Sequence, residues 1–293
     1  MTDNSSMPLV SVVIVVYNAA GTLSQAIESV TSQTYSNREL VIIDGKSNDG
    51  SLEVIQTHKK NIAYFISEKD NGVYDAMNKG IAAAKGEWIY FLGADDILHD
   101  KLVLQNVFSS AGISGADFLY GNTRLMVGNR IIGGSRTYRQ LIDANISHQA
   151  IFYQRNIFSR IGNYDLRYRI LADYDLNLRI FKDEQIRKKY LDINICLFNN
   201  KGGLSNTTID LPFFSEKLAC FIQEEKMPPN DPLLQQYNFF TGIGLLFGKK
   251  KLSGMSFCFR SFTSGRKKIF YILVFVKFAL SFAGLGKKIK ITG

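Results

Sequence analysis

Over its first hundred residues the chain alternates short apolar runs with amphipathic stretches. Residues 9–17 (LVSVVIVVY) are mostly β-branched and end at Asn18, the pattern of a central strand. Thr22 is placed to cap a helix in which Leu23, Ala26, Ile27 and Val30 share one face. Residues 40–44 predict a second buried strand, followed by the turn-rich segment 45–51 and a short helix. A third strand is expected at 62–66. A helix follows over 73–84, with Val73, Ala76, Met77, Gly80, Ile81 and Ala84 inward, and a fourth strand over 88–92. Such alternation predicts an α/β fold with a parallel, doubly wound sheet and right-handed crossovers. After Asp96 the rhythm changes: strands are expected at 117–121, 151–153 and 190–198, a hairpin at 125–132 around Gly128-Asn129, and a helix at 172–181.

Charge changes the picture in one place. The net charge is +9, yet residues 248–293 hold eleven Lys and Arg and no acid, leaving 24 basic against 26 acidic residues in 1–247. The basic residues lie among apolar ones in the tail, which argues against a nucleic-acid partner. Residues 269–285 carry a single charge, Lys277; as a helix they would span about 26 Å, short of a ~30 Å hydrocarbon core. Lys277, Ser281, Gly284 and Lys288 form a narrow polar stripe, so the expectation is a helix lying in the interface of an anionic inner leaflet, the alternative being a helix packed on the domain. Cys196, Cys220 and Cys258 fit no metal-ligand spacing and suit a reducing compartment. Residues 1–7 carry no positive charge before the first apolar run, unlike a signal peptide. A cytoplasmic protein on the inner face of the cell membrane is expected.

The candidate chemistry centres on carboxylates at strand ends, where open α/β sheets bind ligands. The run 88–92 is broken by Gly93-Ala94 and delivers Asp95 and Asp96 together; adjacent carboxylates repel unless a cation such as Mn²⁺ or Mg²⁺ sits beside them. The alternative is a solvated turn or a cap leading into residues 98–108. Asp44, beside the loop 46–51 that includes Ser47, could accept hydrogen bonds from a ribose or base, or could form an Asx-turn and helix cap. Tyr17-Asn18 could stack on a base or simply pack. Asp173 stands at an expected helix start, as a functional acid or as an N-cap.

In their order and spacing these pieces resemble the family 2 (GT-A fold) glycosyltransferases. The carrying residues are Val10 to Asn18, Ser32-Gln33-Thr34, Asp44 with Ser47 to Ser51, Gly86-Glu87-Trp88-Ile89 leading to Asp95-Asp96, and Ala172-Asp173-Tyr174-Asp175-Leu176 with Arg179. The run from Asp70 to Gly80 (DNGVYDAMNKG) is similar to the branch found in polysaccharide and colanic-acid-type assembly. The resemblance covers roughly residues 8–205. It implies a Rossmann-like, mostly parallel sheet flanked by helices in residues 1–210, with a helical, membrane-associating extension over 211–293. It further implies that Val15, Tyr17, Asn18, Asp44, Ser47 and Asp95 hold a UDP-, GDP- or dTDP-linked sugar. Asp96, assisted by Asp95, would bind Mn²⁺ or Mg²⁺, and Asp173 would deprotonate the acceptor hydroxyl. Gly202-Gly203-Leu204-Ser205 would close over the donor, and Asp75, His148 and Asp175 could line the acceptor site. One position departs: the family often has a second acid where this chain has Gly45. The implied reaction is inverting transfer of one sugar to a lipid-linked saccharide in cell-surface polysaccharide assembly. A Gln-x-x-Arg-Trp motif, which the processive synthases carry, is absent. Two other readings compete. A nucleotidyltransferase normally carries a Gly-rich basic loop, for which Asn18-Ala19-Ala20-Gly21 is a poor substitute; a non-catalytic membrane-bound scaffold would retain the acids as caps.

Overall fold

β1 (Val10–Val16) shows no polar alternation because neighbours cover both of its faces; five of its six valines and isoleucines are buried. It pairs in parallel with β2 (Arg38–Asp44) on one side and β4 (Trp88–Gly93) on the other, and β2 pairs in parallel with β3 (Tyr64–Ser67). The crossovers are α1 (Leu23–Thr31), α2 (Ser51–Thr57) and α3 (Val73–Ala83). The computed structural model describes residues 7–108, 115–201, 208–229, 231–247, 258, 261 and 290–292. Leu23, Ala26, Ile27 and Val30 are buried on α1 as the periodicity requires. Thr22 occupies the N-cap position without capping: its hydroxyl turns back to the Ala19 carbonyl at 3.4 Å. The other end of α1 is closed by Arg38, whose guanidinium donates to the carbonyls of Val30, Thr31 and Tyr35.

Beyond β4 the sheet becomes mixed, because antiparallel pairs need no crossover helix. Its order is β3-β2-β1-β4-β8-β6-β9-β5, with β7 paired to β6. The later strands are β5 (Ile97–Leu98), β6 (Phe118–Leu125), β7 (Ile131–Ile132), β8 (Ile151–Gln154) and β9 (Lys188–Phe198). β8 runs antiparallel to both β4 and β6, and β9 runs parallel to β6. α4 (Val103–Phe108) buries Leu104 and Val107 against the same core as β1. α6 (Asn156–Ile161) follows β8.

The chain divides into two compact units. The sheet belongs to the first, formed by residues 1–137, 146–164 and 176–201; the second comprises 138–145, 165–175 and 202–293. The second unit contains α5 (Tyr138–Asp143), the first turn of α7 (Ala172–Lys182), β10 (Thr208–Asp210), α8 (Leu211–Gln223), α9 (Gln235–Phe247) and β11 (Lys290–Thr292), with β10 and β11 parallel. Its core is aromatic. Phe213 stacks on Tyr174 at 5.1 Å and Phe221 meets Tyr237 edge-on. The hydroxyls of Tyr174 and Tyr237 both donate to the Ile142 carbonyl, at 3.0 Å each. Among the described residues no helix is long and apolar enough to cross a membrane. The interfacial helix expected at 269–285 lies outside the described residues.

Candidate active site

The parallel register sets the carboxyl ends of β1, β2 and β4 side by side. Val15 is flanked by Ile43 and Gly93, and Val16 faces Asp44. Beyond them the β1–α1 and β2–α2 loops are laced together. Asn18 and Lys46 both adopt positive φ, at 49° and 66°. The Asn18 amide donates to Ser47 Oγ (2.8 Å), the Asn48 amide to Asn18 Oδ1 (3.0 Å), and the Ala19 amide to Ser51 Oγ (2.9 Å). Asp44 is fully buried and accepts from the Ser47 amide (3.1 Å), Ser47 Oγ and Ser67 Oγ. It therefore does form the Asx-turn, but Asp49 receives the first amide of α2, Ser51 N, at 3.0 Å. Tyr17 presents a ring that is 68% exposed at the mouth of this loop pair.

Gly45 has no room for a side chain: a Cβ there would lie 2.4 Å from Asp70 Oδ2 and 3.3 Å from the Tyr17 ring. Asp70 reaches this place from the β3–α3 loop, its other oxygen accepting from the Gly72 amide at 2.9 Å. A carboxylate thus fills the space left by the acid missing at position 45. Asp75, in the first turn of α3, accepts from the Asn71 amide (2.9 Å) and lies 3.9 Å from Lys79 Nζ.

Asp95 and Asp96 lean together over the Gly93 Cα. A Cβ on Gly93 would sit 2.4 Å from Asp96 Oδ2 and 3.2 Å from Asp95 Oδ1. Asp96 is buried and accepts from Gln149 Nε2 (3.0 Å) and the Asn199 amide (2.8 Å); exposed Asp95 accepts from Asn199 Nδ2 (3.2 Å). Burial pushes the Asp96 carboxyl up to about 7; the Asp95 charge adds to this, and the Asn199 and Gln149 hydrogen bonds oppose it. Neither acid caps the following helix. Asp100 does that work, accepting from the Leu102 amide at 2.7 Å. Gln149 and Asn199 were not anticipated. Gln149 directly follows His148, which is half-buried in the 3₁₀ helix His148–Ala150.

This pair fits a hard divalent cation. It offers carboxylate oxygens, one of them buried, with no cationic side chain among the described residues to neutralise them. It does not complete a coordination shell, since among the described residues no group of three or more His, Cys, Asp or Glu could hold a metal. The remaining ligands would come from waters or from the oxygens of a bound anion. Gly93→Ala should lower activity at least about tenfold while shifting Tm by only a few degrees, because the nearest atoms its methyl must displace belong to the Asp95 and Asp96 carboxylates. Paired activity and melting measurements check this.

In the second unit, the amides of Ile170 and Leu171, just before α7, donate to buried Asp210, at 2.8 and 3.1 Å. Asp173, inside the first turn, is therefore not the N-cap. It is 8% exposed and accepts from Asn145 Nδ2 at 2.9 Å. Asp175 is buried against Lys217 in an ion pair. Gly202 and Gly203 lie outside the described residues.

Comparison with known proteins places the chain in a family. Residues 11–163 match the family described as Glycosyl transferase family 2. A "PGL/p-HBAD biosynthesis glycosyltransferase" of Mycobacterium bovis is 39% identical over 211 residues, 70% of this chain and 82% of that protein. The Escherichia coli "UDP-Glc:alpha-D-GlcNAc-diphosphoundecaprenol beta-1,3-glucosyltransferase WfgD" is 31% identical over 216 residues, 71% of this chain and 82% of that protein. Among solved structures, S. aureus TarS 1-349 in complex with UDP-GlcNAc superposes with a TM-score of 0.61, covering 95% of this chain and 84% of that one at 15% identity. The fold, the order of its strand-end residues and these relatives lead to one conclusion: the chain belongs to the family 2 glycosyltransferases, and it is a glycosyltransferase.

Proposed function

We propose that this enzyme transfers one sugar from a nucleoside-diphosphate sugar to a hydroxyl of a lipid-linked saccharide, with inversion at the anomeric carbon. The observation that carries the reading is the Asp95–Asp96 pair, held at the sheet's carboxyl end without a cationic partner among the described residues. A divalent cation bound there would neutralise charge developing on the leaving nucleoside diphosphate, an effect worth several kcal/mol. Tyr17, Asp44, Ser47 and Asp70 would hold the nucleoside, with Val15 and Asn18 shaping the floor. Asp173 would take the acceptor proton as the acceptor oxygen bonds to the anomeric carbon and the carbon–phosphate oxygen bond breaks. A single displacement of this kind inverts the centre. That the cap after β5 is Asp100 and not Asp96 favours catalysis over a scaffold. The UDP-Glc in the E. coli relative's name and the UDP-GlcNAc bound to TarS favour a uridine donor, and the diphosphoundecaprenol in that name a diphosphate-linked lipid acceptor. Peripheral membrane attachment through residues 269–285 belongs to the same proposal.

Tyr17→Ala should raise the donor KM about tenfold with kcat nearly unchanged, since a base–aromatic stack is worth ~1–3 kcal/mol. The ring is exposed, so the fold should not suffer. The experiment for the whole reading is nucleoside diphosphate release from UDP-, GDP- and dTDP-sugars with Mn²⁺, Mg²⁺ or EDTA. The product's anomeric configuration is then read by NMR. Cation-dependent release of one nucleotide and an inverted product are expected. EDTA-insensitive release, or retention of configuration, would refute the metal or the inverting assignment respectively.

A further inference from the structure

The β6–β7 hairpin projects a contiguous apolar tip. Met126 is 41% exposed, Val127 46%, Ile131 53% and Ile132 38%. The tip is well formed: Gly128 and Asn129 take positive φ of 83° and 53°, the Leu125 amide donates to the Arg130 carbonyl at 2.9 Å, and Arg124 Nε donates to Asn129 Oδ1 at 2.5 Å. Solvent exposure of four large apolar side chains, Ile131 and Ile132 on the edge strand β7 and Met126 and Val127 in the turn before it, is a liability that proteins normally blunt with charge or cover. Along the chain the charge flanking the tip has one sign. Between Asp117 and Asp143 there is no acid, while Arg124, Arg130 and Arg136 flank the tip without a carboxylate partner among the described residues. This is a local feature, since residues 1–247 carry slightly more acid than base.

An apolar tip ringed by arginines is complementary to an anionic lipid surface, where the side chains enter the headgroup boundary and the guanidinium groups meet phosphates. We propose that the β6–β7 hairpin inserts into an anionic bilayer. The inference is independent of the tail and of the catalytic assignments. The hairpin is also tied to the carboxylate pair through three consecutive residues. The Met126 amide donates to the Phe198 carbonyl (2.9 Å), and Asn200 exchanges two hydrogen bonds with Val127 (2.9 and 3.2 Å). Asn199, between them, holds both Asp95 and Asp96. Insertion would therefore set this end of the sheet at the lipid surface.

The test uses full-length protein carrying Val127→Trp. Trp88, the chain's only tryptophan, is 4% exposed and serves as a buried reference. Vesicles of phosphatidylglycerol with phosphatidylcholine, or of phosphatidylcholine alone, carry bromine on their acyl chains. A blue shift and quenching of the new tryptophan on anionic vesicles are expected. Arg130→Glu with Arg136→Glu should weaken this partitioning about 25-fold or more, at roughly one factor of five per cation removed. An unshifted, unquenched tryptophan, whether or not the protein is carried to the vesicles by another segment, would overturn the proposal. So would a lipid-independent blue shift that grows with protein concentration, which would assign the tip to a second copy of the chain.

Discussion

Asp96→Ala is expected to lower kcat/KM by about a thousandfold or more, which corresponds to roughly 4 kcal/mol of lost transition-state stabilisation. The size follows from the geometry. Asp96 is the buried member of the pair and is held by Gln149 and Asn199, so its oxygens are fixed in direction. Removing the carboxylate leaves exposed Asp95 alone, and a single flexible ligand holds a divalent cation poorly. The fold should survive. The variant loses two hydrogen bonds worth about 1 kcal/mol each, but it also relieves an unpaired carboxylate whose burial is costly enough to raise its pKa to about 7. Steady-state kinetics beside thermal melts distinguish the outcomes: intact melting with lost activity supports the role, and activity within tenfold of wild type contradicts it.

Asp173→Asn is the second large effect, expected to lower kcat by about 10²–10⁴ while leaving the donor's dissociation constant within about threefold. The substitution is isosteric, and its amide oxygen can still accept from Asn145 Nδ2. Helix α7 should be unaffected because Asp210, not Asp173, receives the amides that precede it. A parallel Asp175→Asn variant should behave differently. It would leave Lys217 without its partner carboxylate and should lower Tm more than kcat, as expected for an ion pair with a structural role. If Asp173→Asn instead weakened donor binding and kcat equally, the proton-transfer role would be wrong.

How far these residues were legible depends on how local their partners are. The β1 run, the buried face of α1 and the Asp95–Asp96 pair each follow from contiguous sequence, and each lies where the apolar pattern put it. The resemblance supplied the roles. What was not legible comes from far along the chain: Gln149 lies 53 residues from Asp96, Asn199 lies 103 residues from it, and Ser67 reaches Asp44 from another strand. No periodicity marks such contacts. Gly45 is the instructive case. Its missing acid looked like a gap in the nucleotide site, but Asp70 occupies that space from the next loop, a substitution visible only once β2 and β3 are paired. The mixed half of the sheet was likewise partly hidden, since strand identity for β6, β8 and β9 was apparent while their directions were not.

In the proposed reaction Asp95 and Asp96 form part of a cation site that a donor's diphosphate completes. The most direct test is Mn²⁺ electron paramagnetic resonance on wild type and Asp96→Asn, titrated with and without UDP and GDP. Free Mn²⁺ should disappear on wild-type protein at least about tenfold more readily when one nucleotide is present, because two carboxylates alone do not fill the shell. Asp96→Asn should lose that enhancement. Mn²⁺ binding that is identical in the variant, or absent with both nucleotides, would contradict the claim.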